Sequence, residues 1–247
     1  MAQTSLKPTA NVILPPTTPL ASASFLFRAD GSASWQVGNA HLIASVSGPM
    51  EVSKRDEQPT VATLEVTVRP DIGVSSTREQ FLQEQIRKAI TPVVVLDLHP
   101  RTLIQIVVQI VEAGENKTHN RIALSAAINA TYLALLDAGI PLRSTISACT
   151  IIYVSSPDSN TSQIAIINPD KRQLEKNSDR IASVHTIAYE LKGGQIERVL
   201  LSESSGQFTQ DQLFECYDLA AKVCAESNGV LREVVTKSVG KHNAWRE

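Results

Sequence analysis

Cysteine is sparse in this sequence: three in 247 residues, Cys149, Cys216 and Cys224, odd in number, scattered, and without the CxxC spacing of a zinc or redox site. That usage argues against a structural disulfide or zinc and for a reducing compartment. No GxxxxGK[ST] or GxGxxG run is present, so the phosphate-cradling loops of nucleotide binders are missing. The single Gly-Gly pair, Gly193-Gly194, reads as a hairpin turn between strands. The histidines (His41, His99, His119, His185, His242) form neither HExxH nor an i, i+4 pair, which leaves metal catalysis without support, and no serine sits in a GxSxG elbow. No apolar run approaches the roughly 18 residues that cross a bilayer. The opening MAQTSLKPTANVILPPTTP lacks the order of a signal peptide, so the expectation is an intracellular protein without membrane contact. Neither sign of charge dominates: 23 Lys and Arg face 25 Asp and Glu, for a net charge of −2, so any polyanion contact must be a local patch.

What the chain does have is the composition of a packed globule, 43% hydrophobic and 19% charged with a mean hydropathy of −0.04, and length for one large domain or two fused units. Residues 1–20, rich in Pro and Thr without periodicity, read as a flexible arm. From Ala21, the runs Ser24–Arg28, Ser34–Gly38 and His41–Ser47, split by Asp30-Gly31 and Gly38-Asn39, predict a three-stranded meander. The polar stretch Ser53–Pro59 is a loop, and Ala62–Arg69 alternates as a half-buried strand does. Ser76 or Thr77 caps an amphipathic helix whose apolar stripe runs from Phe81 to Ile90 and stops before Pro92.

Arg101–Val111 predicts a buried strand, and Ile122–Ala138 a helix ended by Gly139-Ile140-Pro141. Ile146–Val154, Gln163–Ile167, Val184–Leu191 and Glu197–Ser202 are further strands, and Asp211–Thr236 is a last long helix. Cys149 on its strand and Cys216 and Cys224 on that helix read as small hydrophobes rather than nucleophiles. The order of elements is that of a segregated α+β protein.

One long stretch is more specific. Ala44–Glu51 (ASVSGPME), Pro59-Thr60, Leu64–Pro70 (LEVTVRP), Arg78-Glu79 and Ile86–Ile90 (IRKAI) are followed by Pro100–Ile106 (PRTLIQI), Ala130–Leu142 (ATYLALLDAGIPL) and Phe208–Leu213 (FTQDQL). In this order the motifs resemble the ribonuclease PH family in its eukaryotic exosome-ring form, over residues 21–237, with 1–20 as arm and 238–247 as tail. The resemblance implies a ribonuclease PH-type fold (ribosomal protein S5 domain 2-like), two sheets with helices packed between them. It implies a ring built with other ribonuclease PH-like subunits, capped by S1/KH-type subunits and joined to a separate hydrolytic exoribonuclease. The ring would thread RNA 3′ end first for rRNA processing and RNA decay, in nucleus, nucleolus and cytoplasm. No cofactor is implied.

Active members of the family attack the last phosphodiester of RNA with inorganic phosphate, which needs an anion ligand and a carboxylate near the leaving oxygen. Counted back from Asp137 without gaps, the phosphate-binding arginine falls on Leu124; the aspartate of the family's Asp-Leu element falls on Asn168 (Asn168-Pro169), and that of its Ala-Asp-Met element on Ser183 (Ala182–His185). The expectation is therefore a noncatalytic subunit. The alternative is a phosphorolytic or hydrolytic exoribonuclease that uses displaced residues, Arg121 and Asp179. An unrelated α+β metabolic enzyme would require the motif order to be coincidence. For RNA contact the resemblance points to Lys54 and Arg55, in the loop after Gly48-Pro49-Met50-Glu51, and to Arg78 before the amphipathic helix. The plainer reading makes Lys54 and Arg55 a solvated loop neutralised by Asp56 and Glu57, and Arg78 a surface residue paired with Glu79 or the next turn.

Overall fold

The computed structural model describes residues 11–13, 19–113, 121–155 and 163–242. In chain order the elements are strands β1 (Asn11–Ile13), β2 (Leu20–Ala23), β3 (Gly31–Val37), β4 (Ala40–Glu51) and β5 (Thr63–Arg69), helix α1 (Thr77–Ile90), strand β6 (Thr102–Glu112) and helix α2 (Arg121–Asp137). Strands β7 (Thr145–Ser155) and β8 (Gln163–Ile167), helix α3 (Lys171–Asn177), strands β9 (Ile181–Lys192) and β10 (Gln195–Gly206) and helix α4 (Gln210–His242) follow. The strands form two five-stranded sheets, an N-terminal one ordered β2-β3-β4-β6-β5 and a C-terminal one ordered β1-β8-β7-β9-β10. Among the described residues only the β5–β6 and β1–β8 pairs are parallel.

Helix α2 explains the layering. From Ile122 to Leu135 every residue is buried, so no face of it is left for water, as befits a helix enclosed on all sides. It packs on β3 and β4 from one sheet and on β7 and β9 from the other, and α4 covers the far face of β7 and β9. Alternation along β7 serves both contacts: Ile146 and Ala148 point to the large core around α2, while Cys149, Ile151 and Tyr153 meet Cys216, Ala220 and Cys224 of α4. Small residues on α2 let the sheets approach closely. A Cβ at Gly31 would overlap the carbonyl oxygen of Ala134, so the start of β3 admits only glycine. Asn129 ties α2 to β7 inside the core: its amide donates to the Ala148 carbonyl (2.9 Å) and accepts from the Ala148 N–H (2.8 Å).

Four expectations change. The first strand of the meander is Leu20–Ala23, not Ser24–Arg28, because Ser24 takes a left-handed backbone (φ 59°) and the next two N–H groups donate to Ser32 Oγ. Within the arm read at 1–20, Asn11–Ile13 pairs with Ile164–Ile166, while residues 1–10 and 14–18 lie outside the described residues. Helix α4 runs on to His242, past the end read at Thr236, since no proline stops it. The segment Lys171–Asn177, which no periodicity marked, is helical. The Gly193-Gly194 turn is as read, with φ of 62° and 88° joining β9 to β10.

Candidate nucleic-acid interface

Lys54 and Arg55 stand exposed in the loop between β4 and β5. The loop is shaped by its own acids. Asp56 donates its N–H to the Ser53 carbonyl (2.9 Å), its carboxylate accepts from Ser53 Oγ (2.9 Å), and its carbonyl accepts from Thr63 Oγ1 (2.7 Å). Glu57 lies 3.4 Å from the Arg101 guanidinium. Lys54 and Arg55 enter no direct ion pair among the described residues, while Asp56 and Glu57 next to them balance the loop's charge.

Arg78 occupies the first turn of α1. Ser76 caps that helix: its Oγ accepts from the Arg78 N–H (3.3 Å), while Glu79 folds back to accept from Ser76 N (2.7 Å) and Ser76 Oγ (2.6 Å). Burial alone would raise the Glu79 pKa. The Ser76 hydrogen bonds and the nearby Arg78 charge outweigh it and hold the carboxyl below its ordinary value. Glu79 therefore belongs to the cap, and Arg78 is half-buried beside it. Lys54 and Arg55 do not share a patch with Arg78. The loop is tied to β5 at Thr63, and the approach to α1 is tied to its other end, Ser75 Oγ donating to the Val68 carbonyl (3.1 Å). Five strand steps of about 3.3 Å put Thr63 and Val68 roughly 16 Å apart.

The three positions carried over for catalysis all lie deep in the fold. Leu124 is 0% exposed in the first turns of α2. Asn168 ends β8 with a left-handed backbone (φ 44°) that asparagine tolerates, and it continues the sheet: its N–H donates to the Thr150 carbonyl (2.8 Å) and its Oδ1 accepts from the Thr150 N–H (3.0 Å). Ser183, on β9, lies 3.0 Å from His185 Nε2, and His185 Nδ1 lies 2.8 Å from Ser204 Oγ. The His185 ring meets Phe208 edge-on at 4.8 Å and Tyr153 at 5.7 Å. Thr150 Oγ1 donates to Ser125 Oγ (2.9 Å), which donates to the Ile122 carbonyl (3.1 Å). This is a buried web of hydroxyl, amide and imidazole, with no carboxylate or guanidinium at the three positions. Arg121 opens α2 and Asp179 lies in the turn before β9; their side chains are outside the described structure. The thiols offer no nucleophile: burial pushes Cys216 up to about 12, and Cys149, next to Cys224 and buried, is raised as well.

The sequence reading missed α3, which joins Asn168 to Ser183. Its signal was Asp170-x-x-Gln173, a capping box: Asp170 Oδ1 accepts from the Lys171 N–H (2.9 Å) and Gln173 Oε1 from the Asp170 N–H (3.0 Å).

Enclosure of α2 between two sheets fits the ribonuclease PH-type fold that the motif order implies, and comparison with known proteins agrees. Residues 20–141 match domain 1 of the 3′ exoribonuclease family. The chain is 37% identical over 222 residues to exosome complex component RRP46 of Saccharomyces cerevisiae, covering 89% of this chain and 96% of that protein. It is 31% identical over 210 residues to exosome complex component rrp46 of Schizosaccharomyces pombe, covering 85% and 86%. The crystal structure of rice (Oryza sativa) Rrp46 superposes with a TM-score of 0.76 at 22% identity, covering 94% of this chain and 98% of that one. The chain belongs to the 3′ exoribonuclease family.

Proposed function

We propose that this chain is a noncatalytic subunit of an RNA exosome ring; the names of its yeast relatives, exosome complex components, support its place in that complex. It assembles with other ribonuclease PH-like subunits under S1/KH-type caps. With them it guides RNA 3′ end first to a separate hydrolytic exoribonuclease, in nucleus, nucleolus and cytoplasm. The observation that carries the noncatalytic part is the chemistry of the three buried positions. A leucine at 0% exposure cannot fork onto phosphate, a neutral amide spent on the Thr150 backbone cannot titrate, and a serine hydroxyl is far too weak an acid to protonate a leaving oxygen near neutral pH. Lys54, Arg55 and Arg78 are the RNA contacts in this reading, acting on phosphates without sequence preference and at two separate points along the path.

The test is to incubate the purified chain with 3′-labelled RNA, with and without phosphate and Mg²⁺. No nucleoside diphosphates should appear. Phosphate-dependent release that vanishes in Arg121→Ala would install the displaced-residue nuclease instead. Mass spectrometry of proteins bound to the tagged chain should return exosome ring subunits.

A further inference from the structure

We propose that the outer face of α3 is a second RNA-backbone contact, carried by Lys171, Arg172, Lys176 and Arg180. The inference rests on the exosome-ring reading above and deepens it. These residues place four of the chain's 23 Lys and Arg within ten positions, against two acids, Glu175 and Asp179. All four are exposed, and none joins an ion pair among the described residues. Some cations elsewhere are paired, Arg87 and Lys88 with Glu84, Arg101 with Glu57, Arg143 with Asp97, and Arg198 with Glu190, so the α3 group stands out by its density on one short segment.

The helix is also built to hold these charges in place. Seven residues would not stay helical alone in water. Here Leu174 packs among Ile152, Ile166 and Ile181, and Asn177 Nδ2 donates to the Gln173 carbonyl (2.8 Å). The Asp170 cap is wedged against the β3–β4 turn, where a Cβ on Gly38 would come within 3.1 Å of its carboxylate. The polar outer face is thus a fixed shelf on the segment that joins Asn168 to Ser183. It shows no exposed apolar side chain. A protein partner would need such an anchor, since interface cores are depleted in lysine, whereas a phosphate backbone needs only spaced cations.

The test compares the wild-type chain with Lys171→Gln/Arg172→Gln/Lys176→Gln/Arg180→Gln, each alone and mixed with the ring subunits it copurifies with. Binding of fluorescein-labelled oligouridine is followed by anisotropy at several salt concentrations. The variant should bind at least about tenfold more weakly at low salt, with a log Kd against log salt slope shallower by up to about 3 (about 0.7 for each of four single-strand phosphate contacts). A control lacking four other cations, Arg87, Lys88, Lys222 and Lys237, should keep the wild-type slope. Should the quadruple variant melt early, Lys176→Glu/Arg180→Glu, on the exposed side only, gives the same reading. An unchanged affinity and slope in folded variants overturns the proposal, and so does displacement of RNA by polyglutamate at concentrations where oligouridine fails. Failure of the ring reading looks different: the wild-type chain would not join the other subunits, whatever α3 does.

Discussion

Leu124 sits in the first turns of a helix sealed between two sheets, so restoring an arginine there would place a guanidinium where neither water nor a carboxylate among the described residues awaits it. An uncompensated buried charge costs about 3–5 kcal/mol. Leu124→Arg should therefore lower the urea midpoint by that equivalent and still release no nucleoside diphosphates; a stable variant with phosphate-dependent activity would reverse the reading of this position. Asn129 carries more than its size suggests, because its amide satisfies both backbone groups of Ala148. Asn129→Ala leaves two buried groups unpaired at about 1–3 kcal/mol each, and the same urea titration should show a loss of about 2–5 kcal/mol. Glu190, at 7% side-chain exposure, accepts from Ser144 Oγ (2.5 Å) and from Arg198. Burial would raise its pKa, but these partners prevail and hold it below its ordinary value. A carboxyl depressed in the folded state stabilises it above the unfolded pKa of about 4.3 and loses that contribution as pH falls through the folded value. The stability gap between wild type and Glu190→Gln should be widest near pH 7 and should close below about pH 4, as read by urea midpoints across that range.

At the scale of elements, the sequence was readable wherever one physical signal dominated. The stripe from Phe81 to Ile90 behind a Ser76 cap is α1, the near-continuous apolar run from Ile122 is α2, and the two glycines at 193–194 are the turn between β9 and β10. It was unreadable where tertiary contact decides. Three residues, Asn11–Ile13, are too few for a period and become a strand only through β8. The strand expected at Ser24–Arg28 has the right composition, yet Ser32 Oγ captures its backbone donors. The three carried-over positions could be named from motif order, but not their burial, nor the separation of Lys54 and Arg55 from Arg78 by the length of β5. Helix α3 shows only one half-buried leucine among polar residues, so its sole sequence mark is its capping box. Asp170→Ala removes that cap, and a loss of about 1 kcal/mol in chemical denaturation is expected, with amide exchange faster at Lys171–Asn177 than at α1; equal exchange would mean that Leu174 alone holds the helix.

The whole molecule leaves apolar side chains in water that a solitary protein would bury. Phe27 is fully exposed at the tip before β3, and Ile72 and Val74 are 78% and 92% exposed in the connection from β5 to α1. That connection is not slack, since Gln109 Nε2 donates to the Pro70 carbonyl (2.9 Å) and Ser75 Oγ to Val68, so both residues are presented on a braced loop. Braced apolar protrusions at two separate places fit a chain with a neighbour on each side. A partner that binds only the folded state adds about 2.7 kcal/mol at a hundred times its Kd, which for a chain of this size raises the melting temperature by about 5–11 °C. Adding the other ring subunits should produce a shift of that order. Phe27→Ser and Val74→Ser remove exposed atoms and should alter the isolated chain's stability by no more than about 0.5 kcal/mol, yet each should reduce the partner-induced shift. Differential scanning fluorimetry with and without partners, beside light scattering of the isolated chain, separates these effects. A monodisperse monomer whose melting temperature ignores the ring subunits, with both variants indistinguishable from wild type, would mean that these side chains face only water and that the chain has no place in a ring.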